Sequence, residues 1–265
     1  MTLANDLNNT ETPVVPGHAL EMYTDLAPWF HLLTAPEEYA EEAAFFGEVL
    51  REACARQPRT LLELGSGGGN NASYLKERFR MTLVDLSAPM LDLSRELNPE
   101  CEHQVGDMRS VRLGRSFDCV MIHDAICYMT SEPDLLRAME TAHAHCRPGG
   151  AALFVPDHTR ETFRPSTSCG GHDGDGRSLR YLEWSWDPDP DDCTYVTDFA
   201  YLLREGEGPP RSLGERHVEG LFASEVWLRL MAEAGFVRGE MKLFEHTDLP
   251  TGEHFVFVCQ KSEGT

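Results

Sequence analysis

The sequence predicts an α/β fold: a doubly wound, mostly parallel sheet of seven strands, with an antiparallel β insertion after the fifth strand. Three observations predict it. Short apolar runs alternate with helix-period segments across residues 60–157, the rhythm of right-handed strand–helix–strand crossovers. The first run opens into a glycine-rich turn, ELGSGGG at 63–69. Beyond residue 176 the pattern changes to apolar–polar alternation, as in antiparallel strands with one face covered.

The elements follow in order. Residues 1–18 are polar, with neither a basic start nor an apolar run, and read as a disordered arm rather than a signal peptide. The folded unit is expected over 19–265. Its first organised segment is a helix over 35–56: Pro36 suits the first turn, and Tyr39, Ala43, Phe46, Val49 and Leu50 recur at helical spacing. Strands are expected at 60–65, 81–86, 102–107, 117–124 and 151–157, with helices at 70–79, 88–97 and 132–145 between them. Gly149 and Gly150 end the connection into the fifth strand. Residues 158–176, rich in Gly, Ser, Thr and His, read as a solvated lid loop. Strands at 178–187, 193–203 and 215–222 then form the insertion, expected to cover one face of the sheet. The lid and insertion together span 158–222 and offer a surface for substrate or for a homodimer. A helix over 224–236 and a hairpin of MKLFEH and HFVFVCQ around DLPTGE close the chain.

Composition narrows the partners. The chain has 265 residues, with 44 acidic against 23 basic, a net charge of −21. Such a surface repels phosphate backbones and anionic headgroups, so neither nucleic acid nor membrane is an expected partner. No run approaches the roughly 20 apolar residues of a membrane span, and a cytoplasmic location is expected. The eight cysteines are scattered without a C-x-x-C pair, so buried reduced thiols are expected rather than a disulfide framework or zinc site. Cys169, His172, Asp173 and Asp175 match no zinc or calcium spacing, and no metal is expected.

The densest signal is the turn at 63–69. Gly65 and Gly67 allow a backbone path closed to other residues, and leave room for a ligand against the chain. A dinucleotide fingerprint would want a third glycine at position 70, where Asn70 stands. Asp85 ends the second strand and can accept hydrogen bonds from both hydroxyls of a ribose. Asp107, in GDM at 106–108, can accept from an adenine amine, and the Met108 amide can donate to a ring nitrogen. His123 ends the strong fourth strand, where ligands bind in doubly wound sheets. There its ring either meets the ligand or is satisfied beside the cleft.

These motifs, with RPGG at 147–150, resemble the class I S-adenosylmethionine-dependent methyltransferases. The resemblance covers residues 20–157 well and implies a Rossmann-like sheet, S-adenosylmethionine as cofactor and S-adenosylhomocysteine as product. Tyr23-x-Asp25-Leu26, EEYAEEA at 37–43 and CYMTS at 127–131 look like the small-molecule branch, which includes amino-sugar N,N-dimethyltransferases and glycine N-methyltransferase. The resemblance implies that Tyr23 and Tyr39 close over the methionine part of the cofactor. It also implies that carbonyls near Gly65 and His123 hold the methionine amine. The expected cofactor set also takes in Glu63, Ser66, Asn70, Leu86, Met90 and Arg109 from the same motifs. The chain departs from the sugar-modifying group at 156–163, where His158, Arg160 and Phe163 stand in place of a more aromatic segment.

The expected reaction is transfer of a methyl group to a small molecule, an amine above all. Alignment and exclusion of water carry such a displacement, with Tyr23, His123 or His158 as orienter or base. O- or C-methylation and a non-catalytic cofactor-binding domain are the alternatives. An NAD-dependent oxidoreductase would want the third glycine and a Tyr-x-x-x-Lys pair, and the sequence has neither.

Overall fold

The structure is a computed structural model that describes residues 20–244 and 254–263. The expected N-terminal arm and the turn of the closing hairpin lie outside the described residues. Short helical turns at Glu21–Tyr23 and Ala27–Trp29 lead into α1 (Phe30–Leu33), and a further turn at Pro36–Tyr39 leads into α2 (Ala40–Ala53). The parallel strands are β1 (Thr60–Leu64), β2 (Arg80–Asp85), β3 (Glu102–Val105), β4 (Phe117–His123) and β5 (Cys146–Val155). Between them run α3 (Ala72–Leu75), α4 (Ala88–Leu97) and α5 (Glu132–His145). The insertion holds β6 (Ser166–Gly170), β7 (Asp173–Gly174), β8 (Arg177–Trp186), β9 (Thr194–Glu205) and β10 (Arg211–Gly220). The chain ends with α6 (Ser224–Glu233), β11 (Phe236–Phe244) and β12 (His254–Lys261).

Seven strands form one sheet in the order β11-β12-β5-β4-β1-β2-β3. The five central and edge strands from β5 to β3 are parallel, while β12 runs antiparallel to both β5 and β11. Both faces are buried, which is why β1, β4 and β5 are continuous apolar runs. Leu62, Val120 and Phe154 pack with Trp227 of α6 and Met139 of α5 on one side. Leu61, Met121 and Leu153 pack with Phe46 and Leu50 of α2 on the other. Local chemistry starts the helices: the hydroxyl of Ser87 accepts the Met90 amide ahead of α4, and that of Ser131 accepts the Asp134 amide ahead of α5.

Several expectations are corrected. Among the described residues, organised structure is already present at residue 21, ahead of 35, because Met22, Leu26, Trp29 and Leu32 have an apolar surface to bury against in Leu179, Tyr201 and Leu203 of the insertion. The helix expected over 70–79 shrinks to α3. Asn70, Asn71 and Ser73 turn their polar groups to Thr34, Glu42 and the Asn70 carbonyl, which competes with regular helix. The solvated lid at 158–176 contains β6 and β7, both paired to β8. Its polar composition suits an exposed edge strand, and Cys169 is exposed there. RPGG lies within β5, beside a register break between Phe117 and Cys119.

The insertion is a second sheet, ordered β10-β9-β8-β6. It does not cover a face of the first sheet, since α2, α5 and α6 fill those faces. It packs on the N-terminal turns, α1 and the turn at Ala125–Tyr128, so it stands over the carboxyl ends of the parallel strands.

Candidate active site

Two adjoining cavities open at those carboxyl ends. The first is about 390 Å³ and lies at the crevice where β1 meets β2 and β4, the switch point of the sheet. The second, about 260 Å³, lies between this crevice and the inner face of the second sheet. Tyr23, Phe30, Tyr39, Asp124 and Tyr128 line both.

The glycine turn forms the floor of the first cavity. Gly65 has φ +73°, and a Cβ there would lie 2.4 Å from the Cβ of Ala125. Gly67 has φ +53°, and a Cβ there would touch Met90 at 3.7 Å and Phe30 at 3.9 Å, ordinary contact distances. Asp85 accepts the Gly67 amide and the Ser87 amide, both at 2.8 Å. Its carboxylate therefore ties the end of β2 to the turn, and burial raises its pKa. The Arg109 guanidinium grips Asp107 and reaches Asp134, which holds the Asp107 carboxyl below its ordinary value. Glu63 is 3% exposed, and burial with the charges of Glu42 and Asp85 pushes its pKa up to about 8.

The N-terminal turns close this cavity from above. Phe30 packs over Gly68, His31 approaches the Gly68 carbonyl, and Asn70 donates to the Thr34 carbonyl. Tyr39 lies under them, its hydroxyl accepting from Thr34.

The structure brings every expected cofactor residue into the first cavity. Glu63, Gly65, Ser66, Gly67 and Asn70 come from β1 and its turn. Asp85, Leu86 and Met90 come from β2 and α4, and Asp107, Met108 and Arg109 from the loop after β3. Tyr23, Tyr39 and His123 complete it. The three catalytic candidates are separated. His123 lines only the first cavity, with Nδ1 3.2 Å from the Asn71 amide and Nε2 3.6 Å from Glu42. His158 lines only the second, between the rings of Phe163 and Tyr195, and burial pushes its pKa down to about 4. Tyr23 lies at the junction.

At that junction is a network the sequence reading missed. The hydroxyls of Tyr23 and Tyr128 are 2.8 Å apart, and Tyr128 lies 2.8 Å from Nδ1 of His217. His217 Nε2 is 3.3 Å from Glu215, whose carboxylate also receives the Glu21 and Met22 amides. Asp124, at φ 53° and ψ −61°, adopts a backbone conformation rare outside glycine and lines both cavities. The alternation of β8 to β10 was the available signal: Glu183, Ser185, Thr197, His217 and Glu219 all fall on one face of the insertion.

The first cavity fits S-adenosylmethionine. Glu63 Oε2, Ser66 Oγ, Asn70 Oδ1 and Asn71 Oδ1 are buried in its wall without a hydrogen-bond partner among the described residues. The two amide oxygens, the Ser66 hydroxyl and Glu63 once ionised can all accept, and a cationic amine supplies donors.

Comparisons with known proteins agree. Residues 61–150 match a family described as a methyltransferase domain. The chain is 28% identical over 215 residues to dTDP-3-amino-3,6-dideoxy-alpha-D-glucopyranose N,N-dimethyltransferase of Streptomyces fradiae, covering 75% of this chain and 78% of that one. Among solved structures, the sugar N-methyltransferase KedS8 from Streptoalloteichus superposes with a TM-score of 0.76 at 24% identity, covering 99% of both chains. The amino pentose methyltransferase CalS10 from Micromonospora echinaspora, solved with S-adenosylmethionine bound, gives 0.71 at 22%, covering 93% of this chain and all of that one. The chain is a Rossmann-like, S-adenosylmethionine-dependent methyltransferase.

Proposed function

We propose that the chain N-methylates a small amine, with the cofactor in the first cavity and the acceptor in the second. The observation that carries this reading is the hydroxyl and imidazole network at their junction. Asp85 holds the ribose, Asp107 and Met108 the adenine, and the Glu63–Asn70 floor the methionine end. S-Adenosylmethionine, when bound, supplies an electrophilic methyl: the acceptor nitrogen's lone pair forms the C–N bond, and the C–S pair stays on sulfur in S-adenosylhomocysteine.

The residues of this chain orient the acceptor and take its proton. With Nε2–H of His217 donated to Glu215, Nδ1 accepts from Tyr128, and Tyr128 accepts from Tyr23. The Tyr23 oxygen is then left as an acceptor facing the cavity, aimed at the N–H of an acceptor amine. A proton can move along this chain to His217. His158 is a weaker candidate for base, since its ring resists protonation. His123, held by Asn71 and Glu42, is assigned to the wall of the cofactor cavity. The same network would serve a hydroxyl acceptor, so O-methylation is the second reading.

The test is a screen of amines and alcohols with the pure protein and S-adenosylmethionine, read by product mass and NMR. Tyr23→Phe is expected to lower kcat by about 10²-fold, and His217→Asn similarly. The double variant should lose little more, because the residues act as one unit. Full additivity would sink the network.

The homodimer is assigned to the outer face of the second sheet. Leu182, Trp184, Leu202 and Val218 are exposed there, a patch that single-copy proteins rarely leave uncovered. Sedimentation should show a dimer that Leu182→Asp with Trp184→Glu dissociates; a monomeric parent protein would refute it.

A further inference from the structure

The second cavity has an uneven charge. Asp124, Asp157, Glu183 and Glu219 line it, and among the described residues no Lys or Arg does. Its basic lining is His158, which burial keeps from protonating at neutral pH, and His217. Asp157 is exposed toward the cavity. Desolvation there, then the charges of Asp124 and Glu219, drive its pKa well up. Glu219, 6% exposed, is raised to about 7, chiefly by burial, while Thr197 donates to it at 2.8 Å. Glu183 accepts from Ser168 at 3.0 Å. So many carboxyls facing one another repel when ionised, and a cation between them removes that repulsion.

Two independent features point to a ligand. The hydroxyl of Tyr201, fully buried in the cavity wall, has no hydrogen-bond partner among the described residues. The rings of Phe199 and Tyr201, stacked at 5.3 Å, with Tyr181 beside Phe199, give an aromatic wall of the kind that attracts ammonium groups.

The relatives that share the fold include an enzyme named for a dTDP-linked amino sugar. A diphosphate finds no counter-charge here. The guanidinium in the first cavity, on Arg109, is already engaged by Asp107 and Asp134.

We propose that the second cavity selects a phosphate-free acceptor with at least two basic nitrogens, one presented at the junction and another held among Asp157, Glu183 and Glu219. The proposal rests on the reading of this cavity as the acceptor site. The aromatic wall takes the alkyl face of the second ammonium, and Tyr201 offers it, or a neighbouring hydroxyl, a hydrogen bond. Nucleotide-linked amines are excluded by charge.

The test titrates three probes by calorimetry into protein saturated with S-adenosylhomocysteine: 1,4-diaminocyclohexane, cyclohexylamine and thymidine diphosphate. The diamine is expected to bind about tenfold tighter than the monoamine, the worth of one added charge-assisted hydrogen bond. Thymidine diphosphate should not bind. Glu183→Gln and Glu219→Gln should erase the diamine's advantage while keeping a cooperative melt. Equal binding of both amines, no diamine binding, or binding of thymidine diphosphate overturns the proposal. Methylation of cyclohexylamine alongside any of these leaves N-methylation standing. Methyl transfer only to alcohols overturns both.

Discussion

Asp85→Ala is expected to weaken S-adenosylmethionine binding by about 10²-fold or more, read by calorimetry. The carboxylate stands at the end of β2 with each oxygen fixed by one backbone amide, Gly67 to Oδ2 and Ser87 to Oδ1. Asp85 lines the first cavity, where its remaining lone pairs can accept from two ribose hydroxyls. Two charge-assisted hydrogen bonds at about 1.5 kcal/mol each account for the loss. Asp85→Asn should not be a mild change, because its amide nitrogen would face the N–H of Gly67 or Ser87, donor against donor. Binding by the alanine variant within about threefold of the parent, below about 1 kcal/mol, would place the ribose elsewhere.

The second large effect is the pH dependence set by Glu63. Its carboxyl is buried, Oε2 has no partner among the described residues, and its pKa stands at about 8 against an ordinary 4.5. Between these values the folded, cofactor-free protein keeps a proton that the unfolded chain has released. The stability from this group is complete below about pH 4.5 and is lost as pH rises through about 8. The loss by pH 8 is on the order of a few kcal/mol. Glu63→Gln, neutral at every pH, should flatten the fall in Tm over this window. A cationic cofactor favours the ionised carboxylate, so affinity should rise with pH in the parent protein and not in the variant. Parallel Tm profiles for the two proteins would show that Glu63 ionises freely.

The lining of the first cavity was legible in the sequence because its parts are local. Glu63 to Gly69, Asp85 and Asp107 each follow directly on a strand, and parallel strands bring their carboxyl ends together whatever else the chain does. Gly65 and Gly67 reveal themselves because positive φ is closed to most side chains. The lid at 158–176 was misread because an exposed edge strand needs no apolar residues: β6 is held by its backbone ladder to β8.

The sequence by itself determined the strand–helix rhythm, the glycine turn and the acid that ends β2, all features in which one residue acts on its own backbone or its near neighbours. Only the tertiary structure decided where the insertion stands and what lies at the junction. Tyr23 and Tyr128 are 105 residues apart, and Tyr128 and His217 are 89 apart. A hydrogen bond across such a span leaves no periodicity behind. It exists because the second sheet packs on the N-terminal turns over the strand ends, and that packing is a property of whole surfaces rather than of any segment.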